Sequence, residues 1–341
     1  MIIRSKSPLR TGFAGGGSDV SPFSDLYGGA ILNATINMYA YATIVPRDDN
    51  RIILNSLDKG IRLEFASAEH IAPTGDLDLI KGIYNRIVKE FTNRPLSFEL
   101  STHVDAPPGS GLGSSSTLVV TILGAFREWL NLPLGEYDLA HLAYQIERED
   151  MKMAGGKQDQ YAATFGGLNF MEFYKDDKVI VNPLRIKTEV MDELAYNLIL
   201  LNTNTSRLSS QIIQAQQENV RTNNTESVQA MHLIKEQAIL MKEVLLRGEL
   251  NRMGEILNLG WEYKKKMADN IVTPELHDLY DKAMKAGASG GKISGAGGGG
   301  FMLFYCPSNS RFSVLNELSK MDVNIHRFEF TNTGLRSWKT A

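Results

Sequence analysis

The chain has 341 residues, 43% of them hydrophobic, so it is long and apolar enough for two packed domains of ordinary size. Its formal net charge is only −3, and its lysines and arginines are scattered, which argues against a nucleic-acid partner. No run approaches the ~18 apolar residues of a membrane span, and the N-terminus lacks the apolar core of a signal peptide. We therefore expect a cytoplasmic protein, monomeric or homodimeric, that contacts neither nucleic acid nor membrane.

The first half of the chain predicts strands followed by helices. Short β-like runs such as IIRSKS and RIILNSL are broken by Pro, Gly, Asn and Asp, and one amphipathic helix is expected at about Asp76 to Phe91. From Ser114 the apolar spacing becomes helical and predicts two consecutive helices. The second of these has one apolar stripe, formed by Leu139, Leu142, Ala143 and Ile146.

The second half predicts further strands and then a long helical region from about Ser206 to Met267. One helix in this region has a methionine-bearing stripe that we interpret as core packing, formed by Val228, Met231, Ile234, Ala238, Met241 and Leu245. The single cysteine, Cys306, lies in the apolar run FMLFYC and is expected to be buried, which excludes disulfides and a cysteine-built metal site. A boundary near Asn182 to Glu193 divides the chain into an α+β pair of domains, residues 1–185 and 186–341.

Three glycine-rich stretches lie far apart in the sequence: AGGGSD (Ala14 to Asp19), GSGLGSSS (Gly109 to Ser116) and SGAGGGG (Ser294 to Gly300). Glycine in such density costs backbone entropy, so three separate clusters require a reason. The most direct reason is a close approach of the backbone to a ligand.

The middle stretch has two interpretations. Its glycines allow a tight turn with inward-pointing amides, and the following helix adds a positive N-terminal end, a combination that suits phosphate oxygens. Alternatively, the serines are simply helix N-caps, although one serine would satisfy a cap. The stretch is not a Walker A loop, because no Lys-Ser or Lys-Thr follows its last glycine, and its glycine spacing differs from that of a dinucleotide-binding turn.

Three charged residues are candidates for catalysis. Glu147 lies at the edge of an apolar helix stripe, which would bring its carboxylate inward toward a cation such as magnesium. Asp159 follows a Gly-Gly turn, and Arg10 precedes the first glycine cluster. Taken singly, Asp159 could equally be an ordinary acid in a first helical turn, and Arg10 a structural arginine.

Taken together and in order, the segments PLRTGFAGGGSD, PPGSGLGSSS and KISGAGGGGF resemble the galactokinase, homoserine kinase, mevalonate kinase and phosphomevalonate kinase (GHMP) superfamily. Within it, the first segment is similar to that of the heptose 7-phosphate kinases, with the fucose kinases next. Galactokinases carry a Glu-His pair where this chain has Gly16 and Gly17. This difference opens space beside Asp19 for a longer sugar with its own phosphate.

The resemblance implies an N-terminal domain like ribosomal protein S5 domain 2, a ferredoxin-like C-terminal domain, and an active site between them. It implies that Ser115 and Glu147 hold magnesium, that Asp159 is the catalytic base, and that Arg10 acts beside it. The residues expected to bind ATP are Pro108, Gly109, Ser110, Gly111, Leu112, Gly113, Ser114, Ser115 and Ser116. Those expected to bind the sugar and its phosphate are Asp19, Gly16, Gly17, Ser18, Lys157, Arg207, Gly297 and Gly298, where Lys157 and Arg207 could instead be solvated surface charges.

The implied activity is the ATP- and magnesium-dependent phosphorylation of D-glycero-D-manno-heptose 7-phosphate at its anomeric hydroxyl. The product, the 1,7-bisphosphate, would serve the synthesis of nucleotide-activated heptose. Alternatives are a kinase for fucose or another free sugar, a non-catalytic sensor of sugar and ATP on the same fold, and an oxidoreductase that uses the glycine loop for a dinucleotide.

Overall fold

A computed structural model describes residues 1–205, 209–268 and 271–340. The strands of the first part are β1 (Ile2–Ala14), β2 (Gly29–Pro46), β3 (Arg51–Ser56), β4 (Ile61–Ala66), β5 (Phe98–Val104), β6 (Leu168–Phe173) and β7 (Val179–Pro183). The helices there are α1 (Phe23–Tyr27), α2 (Asp78–Ile87), α3 (Ser114–Leu130), α4 (Glu136–Gln145) and α5 (Gln158–Phe165). Short π-helical turns extend α2 over Val88–Thr92 and α4 over Ile146–Asp150. The helix expected near Asp76 to Phe91 and the two from Ser114 are confirmed.

The strands of the first part form one sheet built around β2. This strand has 18 residues, which is long enough to pair with β6 through its first half and with β5 through its second half. β1 pairs with β2 on its other edge, and β3 is parallel to β5 whereas the other pairs are antiparallel. Helices α2, α3 and α4 cover this sheet through apolar side chains, among them Phe98, Val119, Leu123 and Leu142.

The second part contributes the helices α6 (Thr188–Asn197), α7 (Ser209–Arg221), α8 (Thr225–Arg247), α9 (Asn251–Lys265), α10 (Pro274–Lys285) and α11 (Ser310–Leu318). Its strands are β8 (Leu198–Asn202), β9 (Gly290–Ile293), β10 (Phe301–Tyr305) and β11 (Asn324–His326). They form an antiparallel sheet in the order β11-β8-β10-β9, which is the strand order of a ferredoxin-like βαββαβ unit. The predicted α+β class with two sheet-based units is confirmed.

The methionine-bearing stripe of α8 packs in the core as expected, since all six of its apolar residues are buried. The side chain of Asn224 caps the start of α8, and Gly248 ends it with φ of +71°. Cys306 follows β10 directly and is fully buried, and burial raises the pKa of its thiol to about 12. Within the described ranges, no helix is both long and apolar enough to span a bilayer.

The end of the chain returns to the first sheet. Strand β12 (Arg336–Thr340) pairs antiparallel with β1, in a register that joins Ile2 to Thr340. An isolated bridge between Ile36 and Phe330 attaches the preceding segment to β2. The boundary between residues 185 and 186 stays a prediction, whereas these final residues pack on the N-terminal sheet rather than on the second one.

Candidate active site

A cavity of about 480 Å³ lies where the two sheet-based units meet. Its wall includes the C-terminal half of β1, the loop before α3, the segment between α4 and α5, and parts of α7, α9 and β9. The cavity thus brings together pieces of sequence from Arg10 to Ala296. Eight charged residues line it: Arg10, Asp19, Glu147, Arg148, Lys152, Asp159, Lys264 and Lys292.

The glycine loop before α3 decides between its two interpretations. Gly109, Gly111 and Gly113 all have φ between 76° and 79°, the left-handed region that favours glycine. Gly113 is the N-cap residue of α3, and no side chain accepts a hydrogen bond at that cap. The serines of the first turn are therefore not helix caps. The first backbone amide bonded back into the helix is that of Thr117, which leaves the amides before it available to an anion.

The loop residues divide into two groups. Gly109, Gly111 and Gly113 line the cavity together with the three serines Ser114, Ser115 and Ser116. The other members of the predicted ATP-binding set do not. Pro108 is exposed, Leu112 is buried in the hydrophobic core, and the carbonyl of Ser110 accepts a hydrogen bond from Phe301 N at 2.9 Å.

The second and third glycine clusters touch through their backbones. A Cβ atom on Gly111 would collide with the carbonyl oxygen of Ser294, and one on Gly295 would lie 2.7 Å from the Cα of Gly111. Only glycine permits this approach. The contact brings the loop of the second sheet to the wall of the cavity, where Gly295 and Ala296 line it.

Arg10 and Asp159 form an ion pair inside the cavity. Two guanidinium nitrogens, Nε and NH2, each lie 2.7 Å from Asp159 Oδ1, and the remaining nitrogen NH1 donates to the carbonyl of Gly111. Arg10 is buried on β1, whereas the Asp159 side chain, in the first turn of α5, keeps 21% of its surface exposed. Asp159 Oδ2 has no hydrogen-bond donor among the described residues, so it can accept a proton from a ligand in the cavity.

Ser115 and Glu147 meet on the opposite side of the loop. The Ser115 hydroxyl donates to Glu147 Oε1 at 3.3 Å, and Gln160 Nε2 donates to the other carboxylate oxygen. Glu147 is fully buried, and the nearest cation is Arg148, whose NH1 lies 3.8 Å from Oε1. A hydroxyl and a carboxylate beside a phosphate site suit magnesium, which is commonly held by one or two carboxylates plus substrate phosphates. The donor set therefore fits the ion.

Asp19 lines the cavity and also holds the start of α5. Its Oδ2 accepts hydrogen bonds from the backbone amides of Lys157 at 2.9 Å and Gln158 at 3.1 Å. Burial is the largest influence on this carboxyl and raises its pKa above the ordinary value, while the amide of Gln158 acts in the opposite direction. Asp19 thus faces the ligand space with one side of a carboxylate that the helix already binds.

The first glycine cluster is only partly in the cavity. Gly16 and Gly17 line it, and a Cβ atom on Gly16 would meet nothing within 4 Å. Ser18 is buried and does not line the cavity, because its hydroxyl bonds to the backbone of Gly15 and Ala30. The open space beside Asp19 that the sequence suggested is present at Gly16.

Three other residues of the predicted substrate set lie elsewhere. The ammonium of Lys157 is buried between Asp177 at 2.8 Å and Asp25 at 3.2 Å, so it is neither a solvated charge nor a wall of the cavity. Gly297 and Gly298 pack against Ile271, whose carbonyl accepts a hydrogen bond from the Gly298 amide. Arg207 lies outside the described residues.

Two cationic residues of the cavity wall were missed by the sequence reasoning. Lys264 belongs to the last turn of α9 and Lys292 to β9. A signal for Lys264 was present: it follows the buried Trp261 by three residues and Leu257 by seven, so it lies on the apolar face of its helix. Lys292 directly precedes the third glycine cluster.

This arrangement is that of an enzyme that transfers a phosphoryl group between two bound small molecules, because such a reaction needs positioning and charge neutralisation more than covalent chemistry. Comparison with known proteins agrees. The family model described as GHMP kinases N terminal domain matches residues 78–167, and the model described as GHMP kinases C terminal matches residues 241–324. The chain belongs to the GHMP kinases.

Similar proteins include sugar kinases over their full length. The chain is 48% identical to the D-glycero-alpha-D-manno-heptose 7-phosphate kinase of Campylobacter jejuni, with 99% of both chains covered. A crystal structure of a D-glycero-D-manno-heptose 1-phosphate kinase from Bacteroides thetaiotaomicron is 44% identical, covers 99% of each chain and superimposes with a TM-score of 0.84. A Lactococcus lactis galactokinase complexed with galactose, 21% identical with a TM-score of 0.78 and covering 98% and 95% of the chains, shares the fold.

Proposed function

We propose that the protein catalyses the ATP-dependent phosphorylation of D-glycero-D-manno-heptose 7-phosphate at the C1 hydroxyl, giving the 1,7-bisphosphate for nucleotide-activated heptose synthesis in the cytoplasm. One observation carries the proposal. The Arg10–Asp159 pair and the Ser115–Glu147 pair share a single cavity beneath the N-terminus of α3. The printed names of the two similar heptose phosphate kinases supply the substrate class.

In this proposal, the helix end and the glycine loop bind the ATP phosphates through backbone amides. Ser115 and Glu147 would hold magnesium, which neutralises phosphate charge when bound. Arg10 holds Asp159 in one orientation by bonding Oδ1 twice, and Asp159 Oδ2 accepts the proton of the attacking hydroxyl. An anomeric hydroxyl is more acidic than an ordinary alcohol, so a carboxylate is a suitable acceptor. Asp19 would orient neighbouring sugar hydroxyls.

The decisive experiment measures ADP release by the purified protein with ATP, magnesium and a panel of acceptors. The panel contains heptose 7-phosphate, heptose 1-phosphate, the free heptose, fucose and galactose. We expect the highest kcat/KM with heptose 7-phosphate and a product that carries two phosphates. A higher value with a free hexose would refute the substrate, and a higher value with heptose 1-phosphate would move the acceptor hydroxyl to the other end of the sugar.

The variant Asp159→Asn tests the catalytic role. We expect kcat to fall by about 10²-fold or more, the usual contribution of a positioned general base. The matched control is Asp281→Asn, which removes an equal charge from an exposed position beside His277. An unchanged rate in Asp159→Asn would remove Asp159 as the base. A sensor would instead show no ADP release, while sugar and ATP still raise its melting temperature.

A further inference from the structure

Lys264 and Lys292 have no role in the chemistry described so far, although both face the cavity. The ammonium of Lys264 donates to the carbonyl of Gly295 at 2.7 Å, and that of Lys292 donates to the carbonyl of Gly12 at 2.8 Å. Lys264 retains only 6% of its surface exposed. Across the described parts of the chain, neither lysine forms an ion pair with a carboxylate, in contrast to the doubly paired Lys157.

Such a pair is costly in the empty cavity. An isolated ammonium is expensive to bury, and a second one beside it adds repulsion. Burial, and then Arg10, lower the pKa of Lys264 to about 8. Burial, and then Lys264 and Arg10, lower that of Lys292. Asp19 acts in the opposite direction on Lys264, but its carboxylate is already bound by the amides at the start of α5. A bound anion would remove this imbalance.

The two lysines lie on the sugar side of the catalytic pair. Lys292 Nζ would be 3.3 Å from a Cβ on Gly12, which is two residues beyond Arg10 on the same strand. Alternate residues of a strand share one face and are about 7 Å apart. This spacing is comparable with the distance from the first carbon to the phosphate of a seven-carbon sugar. Both lysines also border a small recess beside the unobstructed Gly16.

The binding capacity matches a phosphate monoester. Each ammonium has three N–H donors, of which a carbonyl takes one, so the pair offers four to a ligand. A phosphate monoester carries about two negative charges and three terminal oxygens. The ATP phosphates have a separate set of partners in the amides at the start of α3.

We propose that Lys264 and Lys292 bind the phosphate that the sugar already carries, and that they select sugar phosphates over free sugars. This inference rests on the proposed function and deepens it. It also replaces Lys157, whose ammonium is occupied by Asp25 and Asp177, as the cationic partner of that phosphate.

The test compares Lys264→Met and Lys292→Met with the wild-type protein, using heptose 7-phosphate and the free heptose as acceptors. Removing one partner of a buried charge interaction commonly reduces affinity by about 30-fold or more. We expect KM for the phosphorylated sugar to rise by that factor in each variant, while KM for ATP and the slow rate with free heptose stay unchanged. Lys264→Arg should recover part of the affinity because it keeps the charge. The control is Lys265→Met, which removes a neighbouring lysine paired with Glu262 on another face of α9.

Equal losses with both acceptors, or a rise in KM for ATP, would overturn the proposal and assign the lysines to the transferred phosphoryl group. A second measurement needs no variant: inorganic phosphate should inhibit the wild-type protein competitively against the phosphorylated sugar and not against ATP. Competition against ATP alone would contradict the proposal. If the wild-type protein phosphorylates no sugar phosphate, the proposed function fails. The lysine site then stands or falls by whether heptose 7-phosphate raises the melting temperature of wild type and not of Lys264→Met.

Discussion

The two ends of the cavity bind anions by different physical means. At the α3 end, the donors are backbone amides of a glycine loop and a helix terminus, which carry no titratable charge. At the α9 end, the donors are two buried ammonium groups with lowered pKa values. Amides are fixed in place by the fold and independent of pH, whereas the lysines respond to pH and to each other. The difference suggests that one end receives a phosphate common to the whole family, and the other a phosphate particular to the substrate.

The largest expected effect concerns the α3 end. Glu147→Gln removes the buried carboxylate that faces Ser115, so magnesium should bind more weakly. We expect the magnesium concentration for half-maximal rate to rise by about 10-fold or more, as even outer-shell changes at metal sites produce such losses. KM for the sugar phosphate should not follow, which keeps the two ends distinct. Glu149→Gln, an exposed neighbour, is the control. An unaltered magnesium dependence in Glu147→Gln would show that the carboxylate does not hold the ion.

A smaller effect concerns the pH response of the α9 end. Because the pKa of Lys264 in the folded protein is lowered to about 8, its charge is lost as the pH rises through that value. KM for the sugar phosphate should therefore rise above pH 8, by up to about tenfold per pH unit for one linked proton. Arg10, Lys292 and Asp19 are the charged groups that influence Lys264. KM for ATP serves as the internal control, and a parallel rise in both constants would contradict the distinction between the ends.

The sign for stability is the reverse. A lysine pKa that is lower in the folded than in the unfolded chain disfavours folding while the group is charged. This cost is fully present below pH 8 and disappears as the pH rises toward the ordinary lysine value of 10.5. The contribution of Lys264 therefore makes the ligand-free protein more stable with rising pH over this window, while sugar-phosphate binding weakens. Urea unfolding at pH 8 and 10, with Lys264→Met as reference, measures the difference.

The smallest effect concerns the contact that joins the two ends. Gly111→Ala and Gly60→Ala both place alanine at a positive φ, +77° and +65° respectively, and share a cost of about 1–2 kcal/mol. At Gly60 nothing lies within 4 Å, whereas at Gly111 the new methyl group meets Ser294 and Gly295. We expect a further loss of about 1–3 kcal/mol for Gly111→Ala alone. Urea unfolding of the two variants measures this difference, and equal losses would show that the two loops do not press on each other.

Much of the molecule could be predicted from local sequence pattern. The helix from about residue 76, the pair from Ser114 and the core stripe of α8 follow from apolar periodicity, which depends only on neighbouring residues. The glycine loop was identified as an anion site because three glycines exceed what a cap requires, and the positive φ values bear this out. Family resemblance supplied the roles of Arg10 and Asp159, which the fold places within 2.7 Å of each other.

Other features depended on contacts between distant parts of the chain. Lys157 and Lys264 are both lysines in short polar segments, yet Asp25 and Asp177 pair with one and no described carboxylate pairs with the other. Ser18 lies beside two cavity glycines but turns its hydroxyl toward Ala30. The pairing of β12 with β1 joins residues more than 330 apart.

The sequence by itself determined the helices, most strands and the chemical groups of the cavity, because periodicity and glycine content express local backbone preferences. The tertiary structure alone decided which charges are neutralised and which face the ligand space unpaired. That outcome is set by burial and by partners far away in the chain, as for Lys264 and Lys292, whose surroundings come from β1 and the third glycine cluster. Charge compensation is a non-local property.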